Sequence, residues 1–348
     1  MPSDQPQRLR SMQAIVVQAL GDPEVLTLRS HSVPDPGPGE VLVRIEAVGV
    51  NFTETEKRRG VFNPPSLPWI PGDEGAGVVE ATGEGVDRAW IGRRVAFWAP
   101  GTSGTYAQYA VAPVNAMFSL LDQVEFPVAA ALPTQGLTAY GLANAATELK
   151  RGQTALVHAA AGGVGALLVQ LLLRRGVRVF GTASTPAKQE LVKKLGATSL
   201  PYGPDLPQLV RAANAGHGVD AVFDSVGRAT QADSLASLKL YGHLVFFGES
   251  SGSPAPIHPD ELYGLNLSVS SFWLAADPPE RWETAKRELQ EWVVSGQLQV
   301  TLGQVFPLTQ AAEAHRQLEQ RQSHGKLILL PRGIEHPPGV HIDESEDH

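Results

Sequence analysis

The sequence predicts an α/β fold in two parts, a β-rich, barrel-like unit and a doubly wound parallel sheet. Short apolar stretches broken by glycine and proline run from Met12 to about Pro133. Beyond them, strand-like apolar runs alternate with helical ones, the pattern of a parallel sheet covered on both faces. A glycine-rich turn opens this alternating region between an apolar strand and an apolar helix. The 348 residues suffice for two domains and a large core. A hydrophobic fraction of 43% against 18% charged residues is that of a globular chain.

In order along the chain, "PDPGPGE" (34–40) excludes regular structure and marks a turn. "VLVRIEAVGV" (41–50) alternates Val41, Val43, Ile45 and Ala47 against Leu42, Arg44 and Glu46, the period of a half-buried strand. "AGVVEATG" (76–83), "RRVAFWA" (93–99) and "TYAQYAVAP" (105–113) read as further short strands. The middle region gives strands at "TALVHAA", "VRVFGTA", "VDAVFDSVG" and "HLVFFG". Helical stretches "GALLVQLLLRRG", "PAKQELVKKLG", "DLPQLVRAAN" and "ADSLASLKL" separate them. Right-handed crossovers make such an array doubly wound. The final region holds helices at 279–298 and in "TQAAEAHRQLEQ", then an apolar strand "KLILLP". No internal repeat is found, and the segment after Pro331 is polar and acidic.

Composition removes several classes of function. A net charge of −8, from 28 basic and 36 acidic residues, argues against nucleic acid as the main partner. No apolar run reaches the roughly 18 residues that span a membrane. The first residues lack an apolar signal core, so the expected compartment is the cytoplasm. Cysteine is absent, which removes disulfides, a thiol nucleophile and thiolate zinc sites.

The sharpest motif is "VHAAAGGVGALLVQLL", with glycines at 162, 163 and 165. Its spacing is that of G-x-G-x-x-G with Ala160 in the first glycine position. Glycine lets the backbone approach a pyrophosphate, and the following helix N-terminus stabilises its charge. His158, at the strand end, reads as a structural histidine. After the next strand comes "GTASTPAK" (181–188), where an Asp or Glu normally grips the ribose of NAD. Between Gly165 and Glu190 there is no carboxylate at all, while Ser184 and Lys188 are present. Small hydroxyls followed by a lysine favour a 2′-phosphate through charge-assisted hydrogen bonds. The cofactor predicted is NADPH over NADH.

With these motifs in hand, the chain resembles the zinc-independent NADPH:quinone oxidoreductases of the medium-chain dehydrogenase/reductase superfamily. "GVNFTETEKRRG" (49–60), "PGDEGAGVV" (71–79), "GLTAY" (136–140), "AAAGGVG" (159–165), "FDSVG" (223–227) and "FFGESSG" (246–252) match in order and spacing. The resemblance implies a GroES-like catalytic domain from residues 12–133 and 273–331, with a Rossmann NADPH-binding domain at 134–272 and tails at 1–11 and 332–348. It implies an active site in the cleft between the domains, and a homodimer. It places Gly162, Gly163 and Val164 at the pyrophosphate, and Ser184, Lys188, Tyr202 and Arg321 around the 2′-phosphate. Thr138 and Phe272-Trp273-Leu274 fall near the nicotinamide, Phe247 and Gly248 at the carboxyl edge of the sheet, and Asn51 at the substrate.

Zinc alcohol dehydrogenases of this superfamily carry a Cys ligand and a Gly-His-Glu segment; Asp73-Glu74 stands in the matching place here, without a histidine. His336, His341 and the acidic residues beyond them read as a solvated tail. The expected chemistry is therefore metal-free hydride delivery to a quinone or another conjugated carbonyl, with an Asn51 amide N–H on the developing oxyanion. Two positions depart from the family pattern, because Glu56 and Phe62 replace tyrosines that are common there. Glu56, set among Glu54, Lys57 and Arg58, reads as a surface residue, which leaves water as the proton source. Two alternatives stay open. One is an NADPH-dependent enoyl-thioester reductase, suggested by "SFWLAADPPERW" (271–282) although Phe62 lacks the tyrosine expected of the mitochondrial type. The other is a low-turnover NADPH-binding sensor or structural protein.

Overall fold

The computed structural model describes residues 10–277 and 281–333. Strands β1 (Ser11–Val16) and β2 (Thr27–Ser32) form an antiparallel pair. β3 (Glu40–Val50) leads directly into helix α1 (Phe52–Arg59), and β4 (Glu74–Thr82), β5 (Arg94–Trp98), β6 (Tyr109–Pro113) and β7 (Met117–Ser119) follow. The alternation expected of β3 holds only from Val43 to Ala47, since Leu42 is buried as well. From Ala47 to Val50 every residue is buried, because β3 pairs with β4 and β6 along its length and with a C-terminal strand beyond them. In "TYAQYAVAP" only the second half is a strand; Thr105–Gln108 crosses over to meet β1 through isolated pairings.

After two short helices, α2 (Phe126–Ala129) and α3 (Leu137–Gly141), the alternating region begins. It runs β8 (Thr154–Val157), α4 (Gly163–Arg174), β9 (Arg178–Thr182), α5 (Pro186–Lys194), β10 (Thr198–Leu200) and α6 (Leu206–Ala213). β11 (Val219–Asp224), α7 (Gln231–Ala236), β12 (Leu238–Phe246), α8 (Asp260–Tyr263) and β13 (Ser268–Ser271) complete it. All pairings in this sheet are parallel, in the order β10-β9-β8-β11-β12-β13. That is the doubly wound dinucleotide order, and its reversal point lies between β8 and β11, where such sheets open a ligand crevice at their carboxyl ends. β8 and β11 are buried at every residue, as expected of central strands covered on both faces.

The chain then returns through α9 (Trp282–Val294), β14 (Leu302–Pro307), α10 (Ala311–Glu319) and β15 (Lys326–Leu330). β14 and β15 extend the first sheet to β14-β15-β3-β4-β5-β7, with β6 pairing on β3. β15 runs antiparallel to β3 with Leu327 opposite Val50, a register that brings Lys326 beside Asn51. One apolar cluster joins both sheets, with Ala47, Ala76 and Phe118 from the first and Ala155, Val157 and Ala221 from the second. A shared core of this kind fixes the two walls of the cleft against each other.

Candidate active site

The floor of the cleft is a buried polar cluster built where β15, β3 and β4 of the first sheet run side by side. Lys326 and Glu74 are fully buried and form an ion pair between Nζ and Oε1. Asn51 joins them: its Nδ2 donates to Glu74 Oε1 at 2.8 Å, and its Oδ1 accepts from Lys326 Nζ at 2.6 Å. Lysine can only donate, so these contacts also fix the orientation of the amide. Glu74 Oε2 accepts the backbone N–H of Thr134 at 2.7 Å, which ties β4 to the segment leading into α3. Gly49 makes room for the pair, since a Cβ there would stand 2.4 Å from Glu74 Oε1 and 2.6 Å from Lys326 Cε. Glu54 lies behind Asn51 and accepts its backbone N–H at 2.8 Å. Burial, followed by the charge of Asp73, pushes the Glu54 carboxyl up to about 8.

Above this floor opens a cavity of about 990 Å³. At one end the turn after β8 delivers Gly162, Gly163 and Val164 to its wall, and α4 begins there with no side-chain cap on its first N–H groups. Ala159 adopts a left-handed backbone (φ 50°), and its carbonyl lies so close to α4 that a Cβ on Gly165 would stand 2.3 Å from it. Gly165 is therefore a packing requirement of the turn. Tyr202 braces the same turn, its hydroxyl accepting the Ala159 N–H at 2.8 Å while its ring stacks on His158 at 5.9 Å. His158 is fully buried between Thr182 and Ser234 hydroxyls at 3.0 Å each, the structural role expected of it. Burial holds its pKa below the ordinary histidine value.

Ser184 and Lys188 line the cavity beside Arg321. Lys188 Nζ donates to the Arg321 carbonyl at 2.6 Å, and partial burial lowers its pKa from that of a free lysine. Arg321 is itself left-handed (φ 59°), and four residues on, Gly325 N–H donates to the Ala161 carbonyl at 3.0 Å. The stretch 321–326 thus ties the glycine turn after β8 to the polar floor.

At the other end, Thr138 from α3, Phe247 and Gly248 after β12, and Phe272 and Leu274 after β13 meet Asn51, Phe52, Phe62 and Trp98. Phe272 packs against the shared core and also faces the cavity, whereas Trp273 is 60% exposed and is not core. Every site residue predicted from the sequence, from Asn51 to Arg321, lines this one cavity. His336 and His341 lie outside the described residues. Among the described residues no three His, Asp or Glu side chains are grouped to hold a metal ion, and no helix is long and apolar enough to cross a membrane.

Residues 37–122 match the alcohol dehydrogenase GroES-like domain, and residues 195–329 match the zinc-binding dehydrogenase family. The chain is 37% identical over 321 residues to the quinone oxidoreductase of Pseudomonas aeruginosa, covering 90% of this chain and 98% of that one. The chain belongs to the quinone oxidoreductase family of the medium-chain dehydrogenase/reductase superfamily. It is similarly close to a 2-haloacrylate reductase of a Burkholderia species, 34% identical over 333 residues, with 92% and 99% of the two chains covered. The Escherichia coli quinone oxidoreductase, solved in complex with NADPH, superposes with a TM-score of 0.87 at 33% identity, covering 92% of this chain and all of that one.

Within this family framework two expectations need correction. The Asn51 amide does not offer a free donor to an acceptor oxygen. One N–H is held by Glu74 and the other points to Glu54 Oε1 at 3.4 Å, so the side chain organises the floor instead. Glu56 is not a surface residue. It is half-buried and lines the cavity, and burial, reinforced by Glu249, pushes its carboxyl up to about 7. The charged neighbours that suggested exposure have partners of their own: Lys57 pairs with Asp73 at 2.6 Å, and the buried Arg58 pairs with Glu319 on α10. Sequence reasoning missed Lys326, whose one signal was a lysine opening an otherwise apolar strand.

Proposed function

We propose that this chain is an NADPH-dependent oxidoreductase that reduces a quinone or another conjugated carbonyl without a metal ion. The observation that carries the reading is a single cavity with two chemically different ends. One end offers uncapped helix N–H groups, Ser184, Lys188 and Arg321, with no carboxylate in the turn between β9 and α5; the other is walled by Phe52, Phe62, Trp98 and Phe272. The basic end suits a nucleotide 2′-phosphate and pyrophosphate, and the aromatic end suits a flat, apolar acceptor. Bound NADPH supplies a hydride from its nicotinamide C4. Gly162, Gly163 and Val164 hold the pyrophosphate, while Ser184, Lys188 and Arg321 hold the 2′-phosphate. Thr138, Phe272 and Leu274 orient the reacting ring, and the aromatic wall keeps water from it. Asn51 acts as a positioning residue.

The metal-free reading is supported by the spent ligands at Glu74, whose two oxygens are engaged by Lys326, Asn51 and Thr134, and by the lack of any cysteine. The quinone and haloacrylate reductases among its relatives support a conjugated acceptor. A homodimer is proposed through the free edge of β13, where Leu240, Tyr241, Tyr263 and Leu265 are exposed on and beside the neighbouring strand. The compartment proposed is the cytoplasm, where NADPH is supplied. The test is oxidation of NADPH in the presence of benzoquinone, phenanthrenequinone or crotonyl-CoA. Quinone-dependent oxidation is expected; a preference for crotonyl-CoA indicates an enoyl-thioester reductase, and tight NADPH binding without turnover indicates a sensor.

A further inference from the structure

Helix α1 divides its side chains between two environments. Glu54, Thr55 and Arg58 are buried on the core side, while Phe52, Thr53, Glu56 and Lys57 line the cavity. Helical periodicity produces this split, because residues three and four apart share a face. Of the two ionisable groups on the cavity face, Lys57 is held by Asp73 at 2.6 Å. Glu56 is held by nothing: among the described residues no hydrogen bond or ion pair engages its carboxyl. A half-buried carboxyl without a structural partner, at the aromatic end of a reaction cavity, has no packing or pairing role that accounts for it.

We infer that Glu56 is a catalytic residue, the acid that protonates the acceptor oxygen as hydride arrives. This rests on the oxidoreductase reading above. The step balances: the acceptor gains two electrons and one hydrogen from NADPH, which becomes NADP+. The O–H bond of the Glu56 carboxyl breaks as an O–H bond forms on the acceptor oxygen, and the Glu56 carboxylate then regains a proton from water at the cleft mouth. The charged groups facing Glu56 are Glu249, from the loop after β12, and Arg59, three residues on at the end of α1. Glu249 favours the protonated form and Arg59 the ionised one, while burial adds to the first. The carboxyl, pushed up to about 7, is thus a usable acid at neutral pH.

The acceptor decides how much this acid matters. An enolate formed from an unsaturated ketone is strongly basic and needs a proton in the transition state, whereas a hydroquinone anion is stable enough to leave unprotonated. The experiment compares wild type with Glu56→Gln on butenone and on benzoquinone, across pH, with NADPH affinity read by fluorescence. In the wild type, kcat on butenone is level below about 7 and falls at higher pH. Glu56→Gln lowers that kcat on the order of 100-fold and abolishes the fall, and it lowers the benzoquinone rate by a clearly smaller factor, on the order of 10-fold or less. Glu249→Gln removes a like charge and moves the wild-type fall to lower pH. An unchanged butenone rate in Glu56→Gln overturns the inference. So does an equal loss on both acceptors with the pH profile retained, since that is the mark of a structural role. If the wild type oxidises NADPH with neither acceptor, the oxidoreductase reading falls and this inference falls with it.

Discussion

Replacing Lys326 by methionine tests the polar floor of the cleft. The substitution keeps the length of the side chain but removes its charge, leaving the Glu74 carboxylate fully buried with only the N–H donors of Asn51 and Thr134. Breaking a buried pair on one side costs about 3–5 kcal/mol, because the remaining charge stays desolvated. For a chain of 348 residues the expected fall in melting temperature is roughly 4–7 °C. The assay is urea and thermal unfolding of the wild type, Lys326→Met, Glu74→Gln and the double variant. Glu74→Gln keeps an acceptor for Thr134 and removes the stranded charge, so the double variant is expected to be more stable than Lys326→Met alone. A Lys326→Met protein within about 1 kcal/mol of wild type, or a double variant that loses the sum of the two single losses, would refute the reasoning.

Lys188→Ala removes the half-buried cation from the phosphate end and should weaken NADPH roughly 10- to 100-fold while leaving NADH nearly unchanged, as read by fluorescence titration. Equal losses for both nucleotides would show that the lysine does not contact the 2′-phosphate. Gly165→Ala drives a Cβ into the Ala159 carbonyl 2.3 Å away, which should cost about 1–3 kcal/mol in unfolding and weaken dinucleotide binding. Glu54 is raised to about 8 in the folded chain, so the native state holds a proton that the unfolded chain has lost above the ordinary carboxyl range. Its contribution is complete at acid pH and is lost as pH rises toward 8, by a few kcal/mol in all. Glu54→Gln should flatten the pH dependence of urea unfolding over that range, and an unchanged slope would contradict the assignment.

The parallel sheet was readable because strands buried on both faces, such as "TALV" and "VDAVFD", carry no polar alternation. Gly162 and Lys188 could be singled out because dinucleotide motifs are written in local spacing, and both line the cavity. The polar floor was not readable in this way. Lys326 and Glu74 meet only because β15 joins β3 in one particular register, and nothing near either residue announces the other. Glu56 failed for a related reason. "TETEKRR" looks like a solvated face, yet Arg58 and Lys57 turn to partners on distant segments, Glu319 and Asp73, leaving Glu56 alone toward the cavity. Asn51 was placed correctly at the cavity but given the wrong task, since the fate of its amide depends on those same distant partners.

The most direct test of the central claim is the steady-state oxidation of NADPH and NADH with benzoquinone after exhaustive dialysis against a metal chelator. The account predicts full activity in the dialysed protein and a kcat/KM for NADPH at least about tenfold above that for NADH. Activity that returns only on adding zinc, or equal use of the two nucleotides, would contradict it.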